Sequence, residues 1–267
     1  MQALGEALDD LHARLHEKAG ANRELDGCLE RCAAQRTLLS YLAQGNDPEQ
    51  VFWFETFSYS FALHATPLSV AKSFGQHRAQ FPCAWVFTSA TLSVAGDFQH
   101  FLERMGLVGA ETLALPSPFD FRHQSLLYVP EGLPEPNDLS YTDVLVEKML
   151  PVIEAARGRT FFLFTSHRAL KRAAALLDGK LPFPLLVQNS VSRRQLLDDF
   201  RRHGNAVLLG TSSFWEGIDV RGEALSCVII DKLPFSSPGD PVMAARIERC
   251  RSDGGNPFDA LQLPDAI

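Results

Sequence analysis

Between two apolar runs, Ala206-Val207-Leu208-Leu209 and Leu225 to Ile230, lies a stretch with the residue types for chemistry. It reads Gly210-Thr211-Ser212-Ser213-Phe214-Trp215-Glu216-Gly217-Ile218-Asp219-Val220-Arg221-Gly222, with three glycines, three hydroxyls, one Trp and two carboxylates. Hydroxyls and exposed N–H groups suit phosphate oxygens, whereas a carboxylate suits ribose hydroxyls or a relay to an attacking water. A turn that only joined two strands would be shorter and would not set Trp beside Glu. Polar groups clustered after a buried strand are where open α/β sheets place their ligands. The expected chemistry is contact with a nucleotide or a nucleic acid.

Such a loop needs a sheet beneath it, and the chain from Tyr141 onward supplies the pattern. Tyr141 to Ala156 is expected to be helical, and Thr160-Phe161-Phe162-Leu163-Phe164 a strand. Ser166 can cap a helix running to Leu177 that closes at Gly179. Leu185 to Val187 is a short strand, and Ser192-Arg193-Arg194-Gln195 has the capping-box arrangement for a helix ending at Gly204. Strands alternating with helices at this spacing imply a parallel sheet. In that geometry Thr165-Ser166-His167, Gln188-Asn189 and the loop after Gly210 emerge on one rim. Arg168, Lys171 and Arg172, then Arg193, Arg194, Arg201 and Arg202, read equally as a basic groove or as solvated helix faces.

The earlier part is less regular. Residues 1 to about 44 read as helix, with leucines at three- and four-residue spacing from Leu4 to Leu42. Cys28 and Cys32 share a side but lack further ligands nearby, and read as ordinary helix residues. Val51 to Phe54 and Phe61 to His64 are expected strands, with Trp53 in a core. A short helix is expected to open at Pro67. Ala84-Trp85-Val86-Phe87 is a buried-type strand ending in Thr88-Ser89-Ala90-Thr91-Leu92, whose hydroxyls fit a cap or a hydrogen-bond relay alike. Phe98 to Leu107 is an amphipathic helix, and the proline-rich region around Ser117-Pro118-Phe119 is a domain crossing.

Composition bounds the reading. The 267 residues are 46% apolar and 21% charged, as in a globular protein able to bury a core. A net charge of −7 argues against a surface that binds nucleic acid indiscriminately and leaves room for a local groove. Five scattered cysteines suit a reducing cytosol. With no signal peptide and no apolar run near the ~20 residues that span a bilayer, a cytoplasmic location is expected.

The residues Val86 to Leu92, Ser117-Pro118-Phe119, Leu163-Phe164-Thr165-Ser166 and Gly210 to Gly222 together resemble the DinG/YoaA helicases, nearer the YoaA branch. These form part of the XPD-like branch of superfamily 2, and the segments match its motifs III, IV and V in order. Each motif alone is weak; the ordered set with Trp-Glu-Gly-Ile-Asp intact is specific. The resemblance implies an α/β, RecA-like second helicase domain over 116–267, truncated before motif VI. It would be preceded by the helical tail of an Arch-like insertion at 1–50 and the end of the first RecA-like domain at 51–115. By the same resemblance Glu216 and Asp219 would be catalytic, and Gly217, Asp219, Ser89 and Thr91 would bind nucleotide. Thr165, Ser166, His167, Arg168, Gln188, Thr211, Ser212 and Trp215 would contact DNA.

The activity implied is that of an ATP-dependent 5′→3′ DNA helicase in repair or replication. It would translocate on single-stranded DNA with ATP and Mg2+, and any iron–sulfur cluster would lie in a preceding part. Further partners would be the rest of the first RecA-like domain and a replication or repair protein, with no membrane. No G-x-x-x-x-G-K-[ST] loop, metal-holding acidic motif or four-cysteine set occurs in the sequence. The chain is therefore expected to be a fragment cut at both ends, inactive alone as an ATPase, with no metal and no cofactor bound. Two other readings stay open: a helicase-like docking module without motor activity, and an α/β transferase using the same rim for a sugar nucleotide.

Overall fold

The computed structural model describes residues 2–211, 214–215, 217–237 and 239–266. Two compact units divide the chain, one of residues 1–114 with 236–265 and the other centred on 115–235.

The first unit opens with helices α1 (Gln2–His16) and α2 (Arg23–Gln44), as the leucine spacing predicts. Asn22 caps α2 by accepting from the Glu24 N–H, and Gly45 ends it in the left-handed region. Cys32 is buried between the two helices, its Sγ 3.5 Å from the Leu8 carbonyl. Strands β1 (Gln50–Thr56) and β2 (Phe61–Pro67) form an antiparallel hairpin. Trp53 faces its cross-strand partner His64, stacked with ring centroids 4.0 Å apart, and donates to the Thr66 hydroxyl at 3.0 Å. Pro67 closes β2, so α3 (Ala71–Ala79) starts later than expected; α4 (Gln99–Met105) ends at Gly106 as expected.

Ala84 to Phe87 is not the expected buried strand: it is unpaired, with Val86 84% exposed, while Trp85 and Phe87 pack against Phe74. A strand exists only through a ladder of backbone bonds to a neighbour. Among the described residues no strand pairs with this segment.

The second unit begins with the short helix α5 (Phe121–Gln124) and then the long α6 (Tyr141–Ala155). There follow β3 (Thr160–Leu163), α7 (His167–Leu177), β4 (Leu185–Val187), α8 (Arg193–His203), β5 (Val207–Gly210) and β6 (Cys227–Ile230). The strands lie in the order β4-β5-β3-β6, all parallel, so this is the α/β sheet that the alternation predicts. The period-two rule sorts the central strand. Phe162 and Phe164 point to the layer of α6 and α7, among Leu145, Met149, Ile153, Leu170 and Leu177. Phe161 and Leu163 point to the opposite layer, against Leu196, Phe200 and Phe214. The chain moves outward from β3 to β4 and back to β5. Right-handed crossovers therefore require α7 and α8 on opposite faces.

Both predicted serine caps form. The Ser166 side chain accepts from the Ala169 N–H, and that of Ser192 from the Gln195 N–H. The first unit then resumes with α9 (Pro241–Ser252), capped by Asp240, and a π-helical turn over Phe258–Gln262. Residues 236–265, grouped in sequence with the stretch before them, thus pack with the first unit: Arg246 donates to the Leu68 carbonyl at 2.9 Å.

Candidate functional site

Parallel pairing sets Leu163 opposite both Gly210 and Ile230, and Val187 opposite Leu209. The residues that follow these four ends therefore share the sheet's C-terminal edge. After β3 come Thr165 and Ser166; after β4, Gln188; after β5, Thr211; after β6, Asp231.

Two side-chain links tie these ends together. The Gln188 carbonyl oxygen accepts from the Thr211 N–H at 2.5 Å and from its hydroxyl at 3.0 Å. The Asp231 carboxylate accepts from the Thr165 N–H at 3.0 Å, and the Thr165 hydroxyl also favours its charged form. Asp231 is only 6% exposed, and its backbone is fixed on both sides. Its N–H donates to the Leu163 carbonyl at 3.0 Å, and its carbonyl accepts from the Tyr141 hydroxyl at 2.6 Å. The Lys232 ammonium lies 4.7 Å above the Tyr141 ring. Burial pushes the Asp231 carboxyl up to about 6, against the opposing pull of the Thr165 and Lys232 N–H groups and the Lys232 charge.

The loop after β5 is held from beneath and from the side. Phe214 is buried against Gly210, where an added Cβ would stand 2.8 Å from the Phe214 Cβ and Cγ. The Arg193 guanidinium sits 5.8 Å over the Phe214 ring and donates to the Gly217 carbonyl at 3.3 Å. Arg201 donates to the Asp219 carbonyl at 2.9 Å. Gly217 has φ +67°, the left-handed backbone that favours glycine. The Asp219 carboxylate points outward, 71% exposed, and accepts from Arg221 at 2.9 Å. Trp215 is half-buried and packs on the α8-side core beside Ile218 and Val220.

These positions distribute the expected site residues unevenly. Thr165, Ser166, Gln188 and Thr211 follow strand ends on one sheet edge, Gly217 and Asp219 lie farther along the loop against Arg193 and Arg201 of α8, and His167 and Arg168 form the exposed first turn of α7. Thr211 is 4% exposed, with both its donors committed to Gln188. Ser89 and Thr91 belong to the first unit, where their hydroxyls pair at 3.1 Å in a local turn. Ser212, Ser213 and Glu216 lie outside the described residues. The basic groove is largely spoken for: Arg172 makes a two-point pair with Asp143, Arg202 pairs with Asp199, and Arg201 also reaches Asp198. Asp231 escaped sequence reasoning, although a charge directly after the apolar Cys227–Ile230 run marks a fourth strand end. Among the described residues no group of three or more His, Cys, Asp or Glu could hold a metal ion, and no helix is long and apolar enough to cross a membrane.

Residues 149–267 match the family model described as the helicase C-terminal domain. The chain is 49% identical over 248 residues to the ATP-dependent DNA helicase YoaA of Escherichia coli, covering 93% of this chain and 39% of that protein. It is 43% identical to the YoaA of Haemophilus influenzae over 100% of this chain and 42% of that protein. It is 36% identical to the ATP-dependent helicase DinG of Mycobacterium tuberculosis over 84% of this chain and 35% of that protein. The chain thus spans about two fifths of the length of the curated relatives it matches.

Proposed function

Because this chain belongs to the DinG/YoaA helicase family, we propose that it supplies the C-terminal motor portion of an ATP-dependent DNA helicase. The helicase would move 5′→3′ on single-stranded DNA in repair or replication. The observation that carries the proposal is the single polar rim of four parallel strand ends, with the Gly210–Gly222 loop pinned to α8 through Arg193 and Arg201. Rims of this kind bind ligands in open α/β sheets. In this reading 116–267 is the second RecA-like domain, 51–115 the end of the first, and 1–50 the tail of an Arch-like insertion.

Gly217 and Asp219 face the nucleotide, Glu216 is a catalytic carboxylate, and Ser166 and the first turn of α7 face DNA phosphates. Asp219 suits a ribose hydroxyl or a water relay, since its carboxylate is exposed and engaged only at the surface by Arg221. Among the described residues no group of three or more His, Cys, Asp or Glu could hold Mg2+ without the nucleotide. The phosphate-holding half of the nucleotide site would come from sequence beyond this chain, and the chain alone would not hydrolyse ATP. A second reading, a docking module without motor activity, is favoured by the exposed apolar run Leu126-Leu127-Tyr128-Val129.

The test is ATP turnover with and without single-stranded DNA. For the chain extended to the full length of its relatives, DNA is expected to stimulate turnover, and Asp219→Ala to reduce it at least ~10-fold, the effect of losing about 1.4 kcal/mol of transition-state stabilisation. Turnover indifferent to both DNA and Asp219→Ala sinks the motor reading. Hydrolysis by the isolated chain would refute its predicted inactivity.

A further inference from the structure

We infer that Asp231 is a positioning residue for nucleic-acid binding: it locks the end of β3 so that Ser166 and the first turn of α7 are presented to a phosphate. The inference rests on the rim reading proposed above and names the group that keeps the rim in shape. Asp231 has no route to a ligand itself, being buried behind Thr165 with its main chain tied to Leu163 and Tyr141. What it controls is the segment in front of it.

The chain turns between Phe164, whose N–H is still in the ladder to the Gly210 carbonyl at 2.8 Å, and Ser166, which already caps α7. Thr165 is the single residue between ladder and cap. Its N–H would be an orphan donor at the sheet's edge without the Asp231 carboxylate. Fixing that one peptide fixes the direction in which α7 leaves the sheet, hence the aim of its first turn. The groups facing the Asp231 side chain are the Thr165 N–H and hydroxyl and the Lys232 N–H and ammonium, with the Tyr141 ring and hydroxyl alongside.

Electrostatics and positioning predict opposite results, which makes the inference testable. Removing a negative charge beside a phosphate site should tighten DNA binding if charge alone mattered. Removing the acceptor that aims α7 should weaken it. The experiment titrates the whole chain with fluorescein-labelled oligothymidine at two salt concentrations and follows amide hydrogen exchange at Thr165 and at the β3 and β5 core. For Asp231→Ala the expected result is several-fold weaker binding with at least ~10-fold faster exchange at Thr165, as for an amide whose bond is lost. The slope of affinity against salt should be unchanged, because no phosphate contact is removed.

Asp231→Asn, whose carbonyl still accepts from Thr165, should restore both binding and protection. Should Asp231→Ala fail to fold, Tyr141→Phe serves instead: it frees the Asp231 carbonyl, and it should move binding and Thr165 exchange the same way by a smaller factor. Binding that tightens in Asp231→Ala, or weakens in Asp231→Ala and Asp231→Asn alike with core exchange raised throughout, overturns the inference. If the unaltered chain ignores oligothymidine at both salts, the rim reading itself fails.

Discussion

Asp231 should make the stability of the second unit depend on pH in an uncommon direction. Most carboxylates in folded proteins are paired, have lowered pKa values, and cost stability when acid protonates them. Asp231 is the reverse, raised from 3.8 to about 6 by burial. The folded chain therefore binds this proton more tightly than the unfolded chain does. Its contribution is fully present below pH 3.8 and is lost as pH rises through about 6. A shift of about two units corresponds to ~3 kcal/mol at ~1.4 kcal/mol per unit, and screening at the open sheet edge reduces this to ~1–2 kcal/mol. Asparagine cannot ionise, so the comparison isolates the one titration while the others cancel. Urea unfolding of the native chain and Asp231→Asn should be run from pH 4.5 to 7.5. Asp231→Asn is expected to gain on the native chain by ~1 kcal/mol across that span, nearly all of it between pH 4.5 and about 6 and little above. A difference that stays flat with pH, or that shrinks as pH rises, would refute the assignment of a buried, charge-disfavouring site.

Two further outcomes test the rest of the rim. Gly210→Ala puts a Cβ 2.8 Å from Phe214, which is buried and lies under Arg193, so the ring must move; a loss of ~1–3 kcal/mol in urea unfolding is expected, and an unchanged midpoint would show that the loop is not seated this way. Ser166→Ala should weaken oligothymidine binding several-fold. Ser166→Asp, which restores a capping oxygen worth ~1 kcal/mol but adds a negative charge, should weaken it further. Recovery of binding in Ser166→Asp would mean that Ser166 acts only as a cap.

The scaffold was legible where its causes are local. The alternation in Thr160 to Phe164 dictates a strand buried on both faces, and Ser166, Ser192, Gly106 and Gly204 mark helix ends by chemistry that acts within a few residues. Where the cause lies far off, reading failed. Ala84 to Phe87 has the composition of a buried strand, but composition does not provide the neighbour to complete its ladder. Arg193 and Arg201 read as charges on a helix face. In the fold they are turned toward the carbonyls of Gly217 and Asp219, many residues later in the chain. Asp219 and Asp231 each follow an isoleucine, and only the fold distinguishes the first, at the surface with Arg221, from the second, enclosed by Tyr141 from a distant helix.

The donors already committed within the fold decide which residues the rim can offer to a phosphate. The sequence nominates hydroxyls by type, and Thr165, Ser166 and Thr211 look equivalent. In the structure the Thr211 N–H and hydroxyl are both spent on Gln188, and the residue is buried. The Thr165 N–H is spent on Asp231, and its hydroxyl favours the same carboxylate. Ser166 differs, because its exposed oxygen accepts from Ala169 and its hydroxyl proton is still available for donation. Behind it stand the N–H groups of the first turn of α7, which have no acceptor within their own helix, at the positive end of the helix dipole. Thr165 and Thr211 thus hold the edge together, and in the proposed reading the contact with DNA would fall to Ser166, whose aim would depend on the buried carboxylate behind it.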